Sequence, residues 1–200
     1  MSAATPTAEQ IMQASRTARV PAQMTPKHIF LLSSGKHSDV FVQSAAILMF
    51  PGIAERLGHQ LGERFAASKP DVVLGPAMGG VIIGHEIARQ LNVPMIYAER
   101  EDGKMKLRRG FALEPEARVL IAENTVTTGG SQKEVIDLAR SYDANVVGVA
   151  AIVDRSPGVS FGVPFQALLH IDAQAWEAED CPLCHDGSAP ESPGSRHLGR

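Results

Sequence analysis

Apolar positions along the chain fall into two rhythms. From Pro51 onward, Ile53, Leu57, Leu61 and Phe65 recur every four residues, which sets them on one face of a helix that Pro51 opens and Lys69-Pro70 closes. Beyond it, short apolar runs alternate with glycine-rich turns and amphipathic stretches. Strands are predicted at 72–74, 94–98, 118–122, 146–153 and 167–171. A turn at 75–80 leads into a helix at 81–91, and a loop at 123–130 into a helix at 131–142. Strand, loop, helix and strand in repetition predict βαβ units, hence an α/β fold with a parallel sheet. The strands are apolar at nearly every position, as expected when helices cover both faces. Ahead of this pattern, Thr7 and Gln10 fit a capping box for a first helix carrying Ile11, Met12 and Val20. Short runs at 29–32 and 40–42 flank Ser33, Ser34 and Gly35 and predict a hairpin-like N-terminal piece.

The chain has 200 residues, 44% hydrophobic and 20% charged, within the range of one folded domain with a small appendage. Net charge is −3, so no basic excess points to bulk binding of nucleic acid or an anionic membrane. The longest apolar run, Val146 to Val153, is eight residues, against the ~20 a spanning helix needs. Met1 to Gln10 has no basic stretch leading into an apolar one, so no secretory signal is read there. Two cysteines make no disulfide framework, and the cytoplasm is the expected compartment.

Open parallel sheets bind ligands beyond the carboxyl ends of their strands, which directs attention to 75–80, 99–110, 123–131 and 154–158. The third is the most informative. The apolar strand Val119-Leu120-Ile121-Ala122 delivers Glu123-Asn124-Thr125-Val126, then Thr127-Thr128-Gly129-Gly130-Ser131 enters a helix. Ser131 and Glu134 fit a second capping box. Glycines admit a ligand close to backbone N–H groups, the helix N-terminus adds partial positive charge, and hydroxyls add donors, a combination suited to a phosphate monoester. No Gly-Lys-Ser/Thr follows the glycines and no G-x-G-x-x-G spacing occurs, so neither a Walker loop nor a dinucleotide fingerprint is present. A carboxylate just before the cradle can accept hydrogen bonds from ribose hydroxyls.

This segment resembles the phosphoribosyl-diphosphate motif of type I phosphoribosyltransferases. Phe30 to Ser38, Gly75-Pro76-Ala77-Met78-Gly79-Gly80, Glu99-Arg100-Glu101, Leu107-Arg108-Arg109-Gly110-Phe111 and Val153-Asp154-Arg155 narrow the resemblance to the orotate phosphoribosyltransferases. Cys181-Pro182-Leu183-Cys184 with Pro193-Gly194-Ser195-Arg196 is similar to the ending of one bacterial subgroup. The resemblance runs from about residue 8 to the C-terminus, in the family's order.

It implies a central parallel sheet flanked by helices with a small N-terminal hood: a phosphoribosyltransferase domain over 1–178, hood elements within 1–50, and a Cys-containing segment and tail over 179–200. The 186–200 stretch, rich in Gly, Pro and Ser, reads as loosely held. The implied reaction joins orotate to phosphoribosyl diphosphate with Mg²⁺, giving orotidine 5′-phosphate and pyrophosphate, a step of pyrimidine synthesis, with no nucleic-acid or membrane partner. Glu123, Asn124, Thr125, Val126, Thr127, Thr128, Gly129, Gly130 and Ser131 would bind phosphoribosyl diphosphate, with Glu123 and Asn124 toward the ribose hydroxyls. Thr127 and Arg155 would contact orotate, since a guanidinium fork matches a carboxylate or carbonyl edge. Ala77, Met78, Gly79 and Gly80 would form the pyrophosphate loop. Residues 99–110 would be a lid, its cations reaching the pyrophosphate, often in the neighbouring subunit of a homodimer; Arg100 and Lys104 are the catalytic candidates.

Three positions depart from the family pattern. Asn124 stands where a second acid is usual, and an amide supports a developing oxocarbenium ion less than a carboxylate, by ~1.4–2.7 kcal/mol. Ser33 and Gly79 stand where many members carry lysine. Asn124 leaves a second reading, a non-enzymatic regulator that binds phosphoribosyl diphosphate or a nucleotide; the lid and Arg155 weigh against it, and Arg155 also against a purine-base transferase. Cys181 and Cys184, followed by His185, have the spacing of half a zinc site, with His197 or a second subunit as the nearest source of a fourth ligand. One C-x-x-C does not define a metal centre, so the reading is two free thiols and no metal ligand is assigned. His85 reads as a packed or capping histidine, and Trp176 as packing for the final segment.

Overall fold

In the computed structural model of this chain, residues 29–31, 35–39, 42, 44–172, 174–185 and 189–191 are described. The predicted first helix, Ser33 and Ser34, and His197 lie outside them.

Helix α1 (Ser44–Leu48) precedes α2 (Pro51–Phe65), which Pro51 opens from within its first turn. The predicted face of α2 is the buried one: Leu57, Leu61 and Phe65 lie in the core. Full burial of each such side chain contributes about 1.5–3 kcal/mol. The main sheet follows, β3 (Val72–Pro76), β4 (Met95–Glu101), β5 (Lys104–Leu107), β6 (Arg118–Val126), β7 (Asn145–Asp154) and β8 (Phe165–His170), with α3 (Gly79–Leu91) and α4 (Gly130–Arg140) as crossovers. Its strand order is β5-β4-β3-β6-β7-β8, parallel throughout except for β4–β5.

The apolar strands divide their residues between two cores by simple alternation. Val73, Leu120, Ala122, Ala150 and Ile152 face the layer that contains α2 and α3. Val72, Leu74, Val119, Ile121, Val149 and Ala151 face the layer that contains α4, with Val135, Ile136 and Ala139. A strand covered on both sides can spare no polar position, which is why the pattern reads as continuous.

Four expectations need correction. Residues 99–110 are not simply a charged loop: β4 and β5 form an antiparallel hairpin whose turn residues Asp102 and Gly103 have φ of 51° and 78°, the left-handed pair that a two-residue turn demands. Strand β6 does not stop at Ala122 but runs to Val126, because β7 continues to pair with it (Glu123 with Ala151, Thr125 with Val153). The Ser131–Glu134 capping box does not form; the N-cap of α4 is Gly129 at φ 76°, with no side-chain cap. His85 is exposed on the outer face of α3.

A second, smaller sheet is built from β1 (Ile29–Leu31), β2 (His37–Ser38), β9 (Ala175–Trp176) and β10 (Pro190–Glu191), in the order β10-β1-β2-β9. β1 and β2 are antiparallel, so the hairpin forms, but with its second strand at 37–38 and not at 40–42. β9 pairs with β2, and β10 with β1 in parallel. This hood therefore draws strands from both ends of the described chain. Between β9 and β10 lies the single turn α5 (Pro182–His185).

Candidate active site

Strand β6 carries Glu123 to the carboxyl edge of the main sheet on the α4 side, continuing the alternation of Val119 and Ile121. Glu123 is 6% exposed. Oε1 accepts the Asn124 backbone N–H at 2.8 Å, and Oε2 accepts Gln132 Nε2 at 2.7 Å. Burial pushes the Glu123 carboxyl up to about 7, while the Asn124 and Gln132 donors pull the other way. Gln132 was not among the residues the sequence singled out. The available signal was a polar residue on the apolar face of α4, in line with Val135, Ile136 and Ala139.

Across from Glu123 lies the turn between β3 and α3. A Cβ at Gly79 would run into Glu123 Oε1 and sit 3.1 Å from Asn124 Oδ1; one at Gly80 would run into the Ala122 carbonyl. The candidate pyrophosphate loop, 77–80, thus packs directly on the candidate ribose-binding pair, and only glycine fits at the contact. A side chain at position 79 would have to displace the Glu123 carboxylate. Met78 in the same loop is 82% exposed.

Beyond β6, Thr127 and Thr128 are exposed and Gly129 is buried. A Cβ at Gly129 would meet Val159 Cγ2 at 2.7 Å and Phe161 Cε1 at 2.9 Å, and the positive φ there also selects glycine. The exposed stretch 127–128 and the N-terminus of α4 form an open cradle with backbone donors and hydroxyls. Thr125 and Val126 belong to it less directly. Thr125 Oγ1 donates to Ser44 Oγ at 3.0 Å, tying β6 to α1, and the Val126 side chain is fully buried in the core.

Arg155 follows β7, its backbone N–H donating to the Val126 carbonyl at 2.8 Å, so it stands beside this cradle. Its Nη2 donates to Ser38 Oγ of the hood at 3.3 Å. Burial lowers the guanidinium pKa and the neighbouring Asp39 carboxylate raises it, which keeps the charge in place. The turn behind it is fixed by Asp154, whose Oδ1 accepts the Ser156 N–H at 2.8 Å. The hood, the cradle and Arg155 thus converge.

On the other flank, the β4–β5 hairpin holds its cations in internal pairs. Arg109 makes a two-pronged contact with Glu99 at 2.8 and 2.9 Å and lies 6.0 Å from the Tyr97 ring centre. Lys106 pairs with Glu101 at 2.7 Å, and Arg108 with Glu101 at 3.4 Å. Arg109 and Lys106, respectively, hold Glu99 and Glu101 below the usual carboxylate range. Arg100 reaches Glu134 on α4 at 2.9 Å. Glu134, expected to cap α4, instead anchors the hairpin. Among the described residues no carboxylate pairs with Lys104, so of the two lid candidates it is the cation with an unspent charge.

The thiols have a different neighbour from the one expected. His185 is exposed, but His37 of β2 points at them, with Nδ1 3.2 Å from Cys184 Sγ.

Known proteins resemble this chain in sequence and in fold. Residues 44–160 match the phosphoribosyl transferase domain family. The chain is 51% identical over 170 residues to orotate phosphoribosyltransferase of Caldanaerobacter subterraneus subsp. tengcongensis, covering 84% of this chain and 90% of that one. It is likewise 51% identical over 170 residues to the Thermotoga maritima orotate phosphoribosyltransferase, covering 84% and 91%. In fold it resembles the crystal structure of orotate phosphoribosyltransferase from Aeropyrum pernix, with a TM-score of 0.64 at 22% identity over 80% of this chain and 93% of that one.

Proposed function

The chain belongs to the phosphoribosyl transferase domain family, and on that premise we propose that it transfers the 5-phosphoribosyl group of phosphoribosyl diphosphate to orotate, releasing pyrophosphate and forming orotidine 5′-phosphate for pyrimidine synthesis. The observation that carries the reading is the convergence at one sheet edge of a buried acid, a glycine-lined phosphate cradle and a hood-held arginine.

In this reading Thr127 to Ser131 hold the 5′-phosphate through backbone N–H groups and hydroxyls. Glu123 accepts from the ribose hydroxyls, with Asn124 beside it. As the bond to pyrophosphate loosens, positive charge develops on the ribose, and the Glu123 carboxylate stabilises it electrostatically. Backbone donors of 77–80 face the departing pyrophosphate, and Lys104 supplies a cation from the hairpin. Arg155 and Thr127 orient orotate so that its ring nitrogen meets the sugar carbon; alignment does the work of a covalent nucleophile.

Mg²⁺ fits the chemistry of this site: Glu123 and Asn124 offer a carboxylate and an amide, hard oxygen donors that would hold the ion together with oxygens of the substrate. When bound, it neutralises charge on the diphosphate.

A homodimer is supported by Met49, Met78 and Ile82, large apolar side chains left exposed on neighbouring elements. No helix among the described residues is long and apolar enough to cross a membrane. Two cysteines without a disulfide suit a reducing compartment such as the cytoplasm.

The test is a spectrophotometric assay of the purified chain with orotate, phosphoribosyl diphosphate and Mg²⁺, alongside Asn124→Asp. Turnover of orotate but not of adenine is expected, with the Asp variant equal or up to ~10-fold faster. A wild-type chain that binds phosphoribosyl diphosphate yet leaves orotate unchanged would overturn the proposal.

A further inference from the structure

We propose that His37, Cys181 and Cys184 form a structural zinc site that staples the hood to the C-terminal segment. One ligand atom from each of the three lies within 4.8 Å of the others, and this is the one such group among the described residues that includes thiols. Cys181 is fully buried, His37 is 6% exposed, and Cys184 is half-buried.

The local backbone is shaped for chelation. The Cys184 N–H donates to the Cys181 carbonyl at 3.1 Å, and the His185 N–H to the same carbonyl at 3.4 Å, so the single turn of α5 brings both sulfurs to one side. His37 arrives from β2, whose alternation sends Ser38 to the opposite face. Nδ1 of His37 lies 3.2 Å from Cys184 Sγ. A tetrahedral ion with Zn–S ≈ 2.3 Å and Zn–N ≈ 2.0–2.1 Å would set this separation at about 3.6 Å. A small shift therefore opens the cluster to the ion.

Ligand chemistry selects the metal. Two thiols and an imidazole are soft-to-borderline donors, suited to zinc and poor for Mg²⁺ or Ca²⁺. On binding, each thiol gives up its proton and the imidazole stays neutral, so two thiolates balance the dication and the site carries no net charge. That suits a place as dry as Cys181. The described residues supply three ligands, and a fourth ligand atom would complete the tetrahedron.

The placement gives the ion a task. His37 is adjacent to Ser38, whose Oγ donates to the Gln174 carbonyl at 2.7 Å and accepts from Arg155 at 3.3 Å. Fixing His37 fixes the strand that meets Arg155. This last consequence, unlike the site itself, rests on the proposed orotate reaction.

The experiment uses the full chain, kept reduced, stripped with a chelator and titrated first with Co²⁺ and then with Zn²⁺. The expected result is about one Co²⁺ per chain, with the visible bands of a tetrahedral ion and a thiolate-to-cobalt charge-transfer band, all abolished by an equivalent of Zn²⁺. Cys184→Ser and His37→Ala should each weaken Zn²⁺ binding by more than the ~10–100-fold that losing an outer-shell partner costs. If the orotate reading holds, the stripped wild type should show a raised KM for orotate with a smaller change in kcat, restored by Zn²⁺. The proposal is overturned if Co²⁺ gives no charge-transfer band, or if the Cys184→Ser chain binds Zn²⁺ as tightly as wild type. The Co²⁺ spectrum is read on wild type, so a variant that fails to fold leaves the decision intact.

Discussion

Gln132 on α4 donates a 2.7 Å hydrogen bond to Oε2 of Glu123 on β6, and so offsets part of the burial that raises this carboxyl to about 7. The ionised carboxylate is the form that accepts from ribose hydroxyls. In the free protein Glu123 titrates near 7, so kcat/KM should rise with pH through that region. Removing a donor to the charged form raises the pKa further. A hydrogen bond to a charged group is worth ≈ 1.5–3 kcal/mol, so Gln132→Ala should move the acidic limb up by about one to two pH units. A pH profile of kcat/KM for both proteins checks this; an unmoved limb would mean that Glu123 is not the titrating group.

The same residue sets a trade between stability and activity. Glu123 is an acid whose pKa is higher folded than unfolded, so the folded state binds the extra proton. Below the unfolded value of about 4.5 the two states are equally protonated and Glu123 costs nothing; as pH rises from there to about 7 stability falls, and above 7 the full deficit of roughly 3 kcal/mol stands. Glu123→Gln should therefore match wild type in urea unfolding near pH 4.5 and exceed it near pH 8 by ~2–3 kcal/mol, while phosphoribosyl transfer falls at least tenfold. A stability difference that does not grow with pH would contradict the assignment.

Gly79 has Glu123 and Asn124 where its side chain would be. Gly79→Ala should cost ~1–3 kcal/mol of stability, as overpacking does, and lower kcat/KM by ~100-fold or more through displacement of the loop. Gly79→Lys, with a longer side chain to place, should be worse than alanine. Thermal unfolding with steady-state kinetics on both variants gives the answer.

Lys104 is the lid cation without a carboxylate partner among the described residues, whereas Arg100 is engaged by Glu134. Lys104→Ala should reduce kcat by ~10²–10³ with little change in KM for orotate, and Arg100→Ala by less. If the hairpin serves the neighbouring subunit, mixing Lys104→Ala with Arg155→Ala chains should restore about a quarter of wild-type activity, since half of the dimers then hold one intact site. No recovery on mixing would place the hairpin over its own subunit's site.

What was legible in the sequence was local. The spacing of Leu57, Leu61 and Phe65 and the apolar run before Glu123 each state their role within a few residues, and the fold buries them as read, while the glycines at 79, 80 and 129 stand where a Cβ would collide with a neighbour. The β4–β5 hairpin was obscured because paired charges on an exposed edge mask its alternation, although Asp102-Gly103 was a usable turn signal. The end of β6 was misjudged because its length is decided by the partner strand β7, not by its own polarity. Gln132 and His37 were missed for a related reason. Their partners lie 9 and 147 positions away, and a contact made by the fold leaves no spacing to find.

The hood's mixed ancestry bears on how the protein is made. Ile29 pairs with Pro190, and His37 with Trp176, so strands that leave the ribosome early wait for partners translated near the end. The parallel sheet can assemble as its βαβ units emerge, but the wall over Arg155 is built last. A nascent chain halted before residue 175 would hold the phosphate cradle without its roof. Ribosome-bound intermediates should accordingly gain affinity for the sugar phosphate well before they gain it for the base.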